Sequence, residues 1–162
     1  MYSKILVPVD GSGPSNAGLN EAAQLAKIHG SQMCLVHIVN ESALDYTWGR
    51  GRYSDNSIED MRQGGKAILD AAEKIAVAQH ICPTRIMVET VGGVTAEIIL
   101  EEAQKWHAEL IVMGTHGRRG LARLAMGSDA EQVLRGAKIP VMLIREQVAP
   151  KTPSKPATAA IT

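Results

Sequence analysis

The sequence has no phenylalanine, and aromatic residues make up only 3% of it. A core without large rings must be filled by Val, Ile, Leu, Met and Ala. That palette suits parallel strands covered by alanine-rich helices. Cysteine is scarce as well. Cys34 and Cys82 form no metal-binding or redox spacing, and both lie in or beside apolar runs, so both are expected to be buried thiols. Charge of one sign is also missing. Lys plus Arg number 17 and Asp plus Glu number 17, so no global field recruits DNA, RNA or an anionic membrane. No apolar run approaches the ~20 residues of a membrane span. No secretory signal precedes the first strand pattern, and the expected location is the cytoplasm.

What is present is a regular alternation of strand and helix patterns. Residues 2–9 read as a short apolar strand, and 10–15 as a turn cluster around Asp10, Gly11, Ser12 and Pro14. A helix follows to about His29, with Leu19, Ala22, Ala23 and Ala26 at helical spacing and Gly30 as its stop. Residues 33–39 form a second strand. A long polar stretch covers 40–56, and a second helix runs over about 58–79. Gly64 and Gly65 weaken it locally, at ~1 kcal/mol each against alanine. A third strand covers 84–91, Gly92 and Gly93 form a turn, and Thr95 is placed to cap a third helix. A fourth strand (110–113), a glycine-rich loop, a helix over about 128–137 and a fifth strand (140–145) complete the pattern. No two strands are close enough for a hairpin. The alternation predicts an α/β fold: a doubly wound, five-stranded parallel sheet of order 3-2-1-4-5 with helices on both faces, Rossmann-like. The folded domain is expected over 1–146. The remaining 147–162, rich in Pro, Ala, Thr and Lys, is expected to be a disordered tail.

The richest chemical signal lies between the fourth strand and the last helix, in Met113, Gly114, Thr115, His116, Gly117, Arg118, Arg119, Gly120 and onward to Gly127 and Ser128. Phosphate binding needs several backbone N–H groups turned into one concavity, and glycine removes side chains that would block the approach. The helix start adds unsatisfied N–H donors and a partial positive charge. Ser128 could cap that helix or offer its hydroxyl to a phosphate oxygen. Arg118, Arg119 and Arg123 give the loop a cationic bias, and residues 115–128 contain no acid. An ordinary glycine-rich turn with solvated arginines fits the same composition. The predicted topology adds weight to the phosphate reading. In such sheets ligands sit where the winding reverses, here between the tips of strands 1 and 4. Asp10 ends one and Gly114 follows the other.

The spacing Gly114, Gly117, Gly127, Ser128 resembles the ATP-binding branch of the universal stress protein family. So do the opening Ile5-Leu6-Val7-Pro8-Val9-Asp10-Gly11-Ser12, Val36-His37-Ile38-Val39 in strand 2, and Ala137-Lys138-Ile139-Pro140-Val141 before strand 5. The Walker phosphate loop and the dinucleotide fingerprint are both absent. The resemblance implies ATP as cofactor, with Mg²⁺. It places Pro8, Val9 and Asp10 at the adenosine end, the Ile38 backbone at the adenine edge, and Met113 and Gly114 near the ribose. His116, Gly117 and Arg118 would open the phosphate cradle, and Gly127, Ser128 and Asp129 would close it. Asp10 could accept from ribose or adenine, help hold a metal, or serve only as a turn acid. Asp129 departs from the family's small or apolar residue. It favours the helix start by ~0.3–1 kcal/mol but repels a triphosphate unless it turns outward or a cation intervenes.

Two further features carry alternatives. Tyr46, Trp48 and Tyr53 sit in the 40–56 stretch, which could cover the adenosine, meet a partner or dock on neighbouring helices. Strand 5, with Val141, Met142, Leu143 and Ile144, has an apolar edge with no guarding charge before Arg145. The resemblance implies a homodimer through this edge; shielding by the tail is the other reading. The leading expectation is a non-catalytic, ATP-binding stress regulator, with no residue assigned as catalytic. The alternatives are a slow ATPase or adenylyl-transferring enzyme, and a protein-interaction module without nucleotide.

Overall fold

The computed structural model describes residues 2–40, 55–115 and 126–146. Among these residues nine elements follow in order: β1 (Lys4–Pro8), α1 (Gly13–His29), β2 (Gln32–Asn40), α2 (Asp55–Val77), β3 (Thr84–Thr90), α3 (Thr95–Lys105), β4 (Leu110–Gly114), α4 (Ser128–Gly136) and β5 (Val141–Ile144). The five strands form one sheet in the order β3-β2-β1-β4-β5, and every pairing is parallel. This is the doubly wound order that the alternation predicts.

Strand periodicity divides the core into two layers. Ile5, Val7, Met33, Leu35, Leu110 and Val112 point to one face. There Leu19, Ala22, Ala23 and Ala26 of α1 and Leu69, Ala72 and Ala76 of α2 cover them. Leu6, Cys34, Val36, Ile111 and Met113 point to the other face, under Ala96, Ile99 and Ala103 of α3 and Ala130 and Val133 of α4. The alanines let the helices sit close to the sheet, which compensates for the missing rings.

Helix starts differ from one another in a way that matters below. At α1, Ser12 is the N-cap and its side chain accepts from the Ser15 amide. Gly30 closes the helix in the left-handed region at φ 67°. The sequence places Thr95 as the cap of α3, but the N-cap is Val94 and no side chain caps the end; Thr95 is already helical. At α4 the N-cap is Gly127, again without a side-chain cap, so Ser128 is the first helical residue and not the cap.

Two other expectations need correction. Helix α2 begins at Asp55, not near Ile58, and ends at Val77. Packing explains one of its two glycines: a Cβ on Gly65 would meet Val39 Cγ2 at 2.9 Å and His37 Cδ2 at 3.0 Å, whereas one on Gly64 would meet nothing within 4 Å. At Gly65 the helix forfeits propensity to lie against β2. Cys34 is buried, as expected, but Cys82 is exposed in the turn before β3. The 40–56 aromatics Tyr46, Trp48 and Tyr53 and the 147–162 tail lie outside the described residues. Among the described residues no helix is long and apolar enough to cross a membrane.

Candidate functional site

Winding reverses between β1 and β4, which pair directly through Ile5 with Leu110 and Leu6 with Ile111. From β1 the chain steps to β2 and β3, and from β4 it steps to β5. The carboxyl ends of β1 and β4 therefore lie side by side at the switch point, the place where sheets of this kind hold a ligand in a crevice.

The β1 lip is built by a short hydrogen-bonded turn. Asp10 Oδ1 accepts from the Ser12 N–H at 2.9 Å, an Asx turn. Gly11 lies between them at φ 80°, a conformation that other residues adopt only with strain. The Asp10 N–H donates to Ser15 Oγ at 3.1 Å, and the Ser15 N–H donates to Ser12 Oγ at 3.3 Å. Asp10 is thus fastened to the first turn of α1 through both its backbone and its carboxylate.

The β4 lip is pressed against the same turn. A Cβ on Gly114 would stand 2.5 Å from the Pro14 carbonyl carbon and 2.8 Å from the Ser15 nitrogen. A Cβ on Gly18 would stand 3.0 Å from the Gly114 nitrogen. Both glycines let the α1 backbone touch the tip of β4. Their φ values are not positive, so close approach, not conformational freedom, explains them.

Beyond Gly114, Thr115 is buried and used on both sides. Its N–H donates to the Ile144 carbonyl at 2.9 Å, and its carbonyl accepts from the Gly127 N–H at 2.8 Å. The two ends of the glycine-rich loop are therefore tied together. The Gly127 amide is committed to that tie, and Gly127 itself is extended at φ −64°, open to any residue. The next donors are the amides of Ser128, Asp129 and Ala130, which open α4. The first turn of a helix supplies no acceptor for such groups. The Gly127 carbonyl accepts from Glu131 at 3.0 Å and starts the helical ladder. Ser128 and Asp129 are exposed.

Of the residues singled out from sequence, Pro8, Asp10, Gly114, Gly127, Ser128 and Asp129 lie at the tips of β1 and β4 or at the start of α4. Met113 and Ile38 face the α3/α4 side of the sheet. Pro8 shares that side by alternation from Leu6. Val9 differs. Its side chain is 4% exposed within the α1/α2 layer. Its N–H donates to the Val36 carbonyl at 2.8 Å, and its carbonyl lies 2.7 Å from His37 Nδ1. Val9 supports the lip from behind. His116, Gly117 and Arg118 lie outside the described residues. Among those described, no group of three or more His, Cys, Asp or Glu side chains could hold a metal ion.

Sequence reasoning missed Ser15, Gly18 and Thr115. Ser15 had a legible signal, a second serine three positions after the N-cap. Gly18 was hidden among small residues on an alanine-rich face, and nothing in the chain announces the double use of Thr115.

The profile of the universal stress protein family matches residues 1–145. The chain belongs to that family. A universal stress protein of Methanocaldococcus jannaschii is 33% identical over 146 residues, covering 90% of this chain and 84% of its own length. Among solved structures, the hypothetical protein MJ0577 aligns with a TM-score of 0.75 at 21% identity, over 92% of this chain and 99% of that one; this supports the fold alone. The universal stress protein of Archaeoglobus fulgidus, solved in complex with dAMP, aligns with a TM-score of 0.66 at 26% identity, over 88% of this chain and 98% of that one. In this universal stress protein Gly114 has a structural role of its own: it is where α1 meets β4.

Proposed function

We propose that this universal stress protein binds an adenine nucleotide, with ATP and Mg²⁺ as the expected form, in the crevice between the β1 and β4 tips, and acts as a homodimeric regulator without catalytic turnover. The observation that carries the reading is the pair of helix starts beside the crevice. The α1 start is satisfied by Ser12 and has the Glu146 carboxylate packed against Gly13. Among the described residues the α4 start has no side-chain cap, so its amides suit an external acceptor such as phosphate. Helix α3 also begins uncapped, but it follows β3, at the far edge of the sheet. The dAMP complex of the Archaeoglobus relative is consistent with a nucleoside monophosphate unit at such a site.

In this reading Asp10 meets the ribose or adenine, Pro8, Ile38 and Met113 offer the apolar wall, and Ser128 and Asp129 contribute amides to the phosphates. His116, Gly117 and Arg118 would complete the cradle. ATP would supply the charged ligand for this cradle; Mg²⁺ would offset the carboxylate of Asp129. The homodimer would form at β5, the outer strand beside β4, whose four residues are all half-buried and apolar.

The test begins with denaturing the purified protein and identifying nucleotide in the supernatant, followed by calorimetric titration with ATP with and without Mg²⁺. Released adenine nucleotide or saturable binding supports the reading; neither result together ends it. Exposed Asp129 in the first turn of α4 favours one competing reading, a protein-interaction module whose loop no longer takes phosphate. Asp129→Ala discriminates: gain of ATP binding from a null wild type selects the interaction module.

A further inference from the structure

We propose that Ser15 is a positioning residue for nucleotide recognition, its buried hydroxyl holding Asp10 on the crevice lip. The inference rests on the nucleotide reading above and names a residue that the reading does not use.

In an ordinary capping box the N-cap side chain takes the amide three residues on, and that residue's side chain takes the N-cap amide in return. Here the first half is kept, from the Ser15 N–H to Ser12 Oγ at 3.3 Å. The return half is displaced by two residues. The Ser12 amide goes to Asp10 Oδ1 at 2.9 Å, and Ser15 Oγ reaches past the cap to the Asp10 amide at 3.1 Å. The Ser15 hydroxyl is therefore not needed to start α1, because Ser12 already caps it. What it fixes is the backbone of the residue at the tip of β1.

Ser15 is well placed for that task. It is 5% exposed, so water does not compete for its hydroxyl. Its backbone is also in the contact that Gly114 makes with α1, so the residue is braced against β4 through its main chain while its side chain holds the end of β1. Alanine at this position would keep the helix and nearly all the volume and would remove only the bond to Asp10.

The experiment uses the full chain and four proteins: wild type, Ser15→Ala, Asp10→Ala and the double variant. Dissociation constants are measured for ATP and for inorganic tripolyphosphate, which lacks the nucleoside. Loss of one hydrogen bond predicts ATP binding about five-fold weaker in Ser15→Ala. Tripolyphosphate binding should be unchanged, and Ser15→Ala should have no further effect on ATP once Asp10 is alanine. Equal weakening for both ligands, or the same factor in both Asp10 backgrounds, overturns the proposal in favour of a merely structural role. Amide hydrogen exchange without ligand gives an independent readout. The Asp10 amide should exchange faster in Ser15→Ala while the later turns of α1 keep their protection. Unchanged Asp10 exchange overturns the positioning role whatever ATP does, whereas failure of wild type to bind ATP counts only against the nucleotide reading.

Discussion

A methyl group added to Gly114 would enter the space of the Pro14 carbonyl, backbone against backbone, with no flexible side chain to yield. Gly114→Ala should therefore destabilise the fold by about 1–3 kcal/mol in urea unfolding, before any ligand is considered. Gly92→Ala is the contrast, since a Cβ there meets nothing within 4 Å; it should fall within about 0.5 kcal/mol of wild type. The two cysteines separate by the same logic of surroundings. Burial pushes the Cys34 thiol up to about 12 from its usual 9.0, with Glu102 nearby adding to the shift. At pH 8 a thiol reagent should titrate one group, Cys82, and reach Cys34 only after unfolding. The buried thiol keeps its proton when the unfolded chain has lost it, so between about pH 9 and 12 the native state binds more protons. Stability should fall as pH rises through that window, and Cys34→Ala should flatten the slope. From sequence the cysteines looked alike because both adjoin apolar runs; only the turn before β3 turns Cys82 outward.

At the scale of elements, the α4 start is where charge and geometry disagree. Asp129 and Glu131 sit in its first turn, which suits the helix dipole but opposes an anion arriving at the same amides. Asp129→Asn should cost the helix about 0.3–1 kcal/mol and at the same time tighten ATP several-fold in the absence of Mg²⁺, with a smaller gain when Mg²⁺ is present. Calorimetry and thermal unfolding on one sample would see both effects. Element type and order were legible because apolar runs in this chain are short and punctuated: Gly30 stops α1, and the Gly92-Gly93 turn follows β3. Caps were not. Thr95 and Ser128 have the right chemistry for a cap but fall one residue inside their helices, because cap position is set by where the backbone leaves the extended region, at Val94 and Gly127. The start of α2 was blurred by polar residues that carry no periodic signal. The crevice was legible as a place, from Asp10 and Gly114. The work done by Ser15 and Thr115 was not, since it depends on bonds between segments far apart in the chain.

For the whole molecule, the two sheet edges contrast. At β3, Arg85 bonds Asp70 at 2.5 Å and Glu73 at 2.6 Å, and Glu89 bonds Arg62 at 2.8 Å, so the strand carries charge along its length. Such edges resist pairing. Strand β5 has no such guard between Val141 and Ile144. The carbonyls of Pro140 and Ile144 serve β4, so alternation directs the backbone groups of Val141 and Leu143 away from it. If the dimer forms through this edge, Leu143→Pro should convert it to a monomer in light scattering while leaving every β4 bond in place. A monomeric wild type would remove the dimer from the proposal. The tie between Thr115 and Gly127 has a separate consequence. A 2.8 Å hydrogen bond joins the residue where the chain leaves β4 to the one that precedes α4, so the two attachment points of the intervening sequence sit side by side. Doubling its length would add only about 0.6 kcal/mol of closure entropy, and a foreign recognition peptide could be transplanted there while the scaffold beneath stays unaltered.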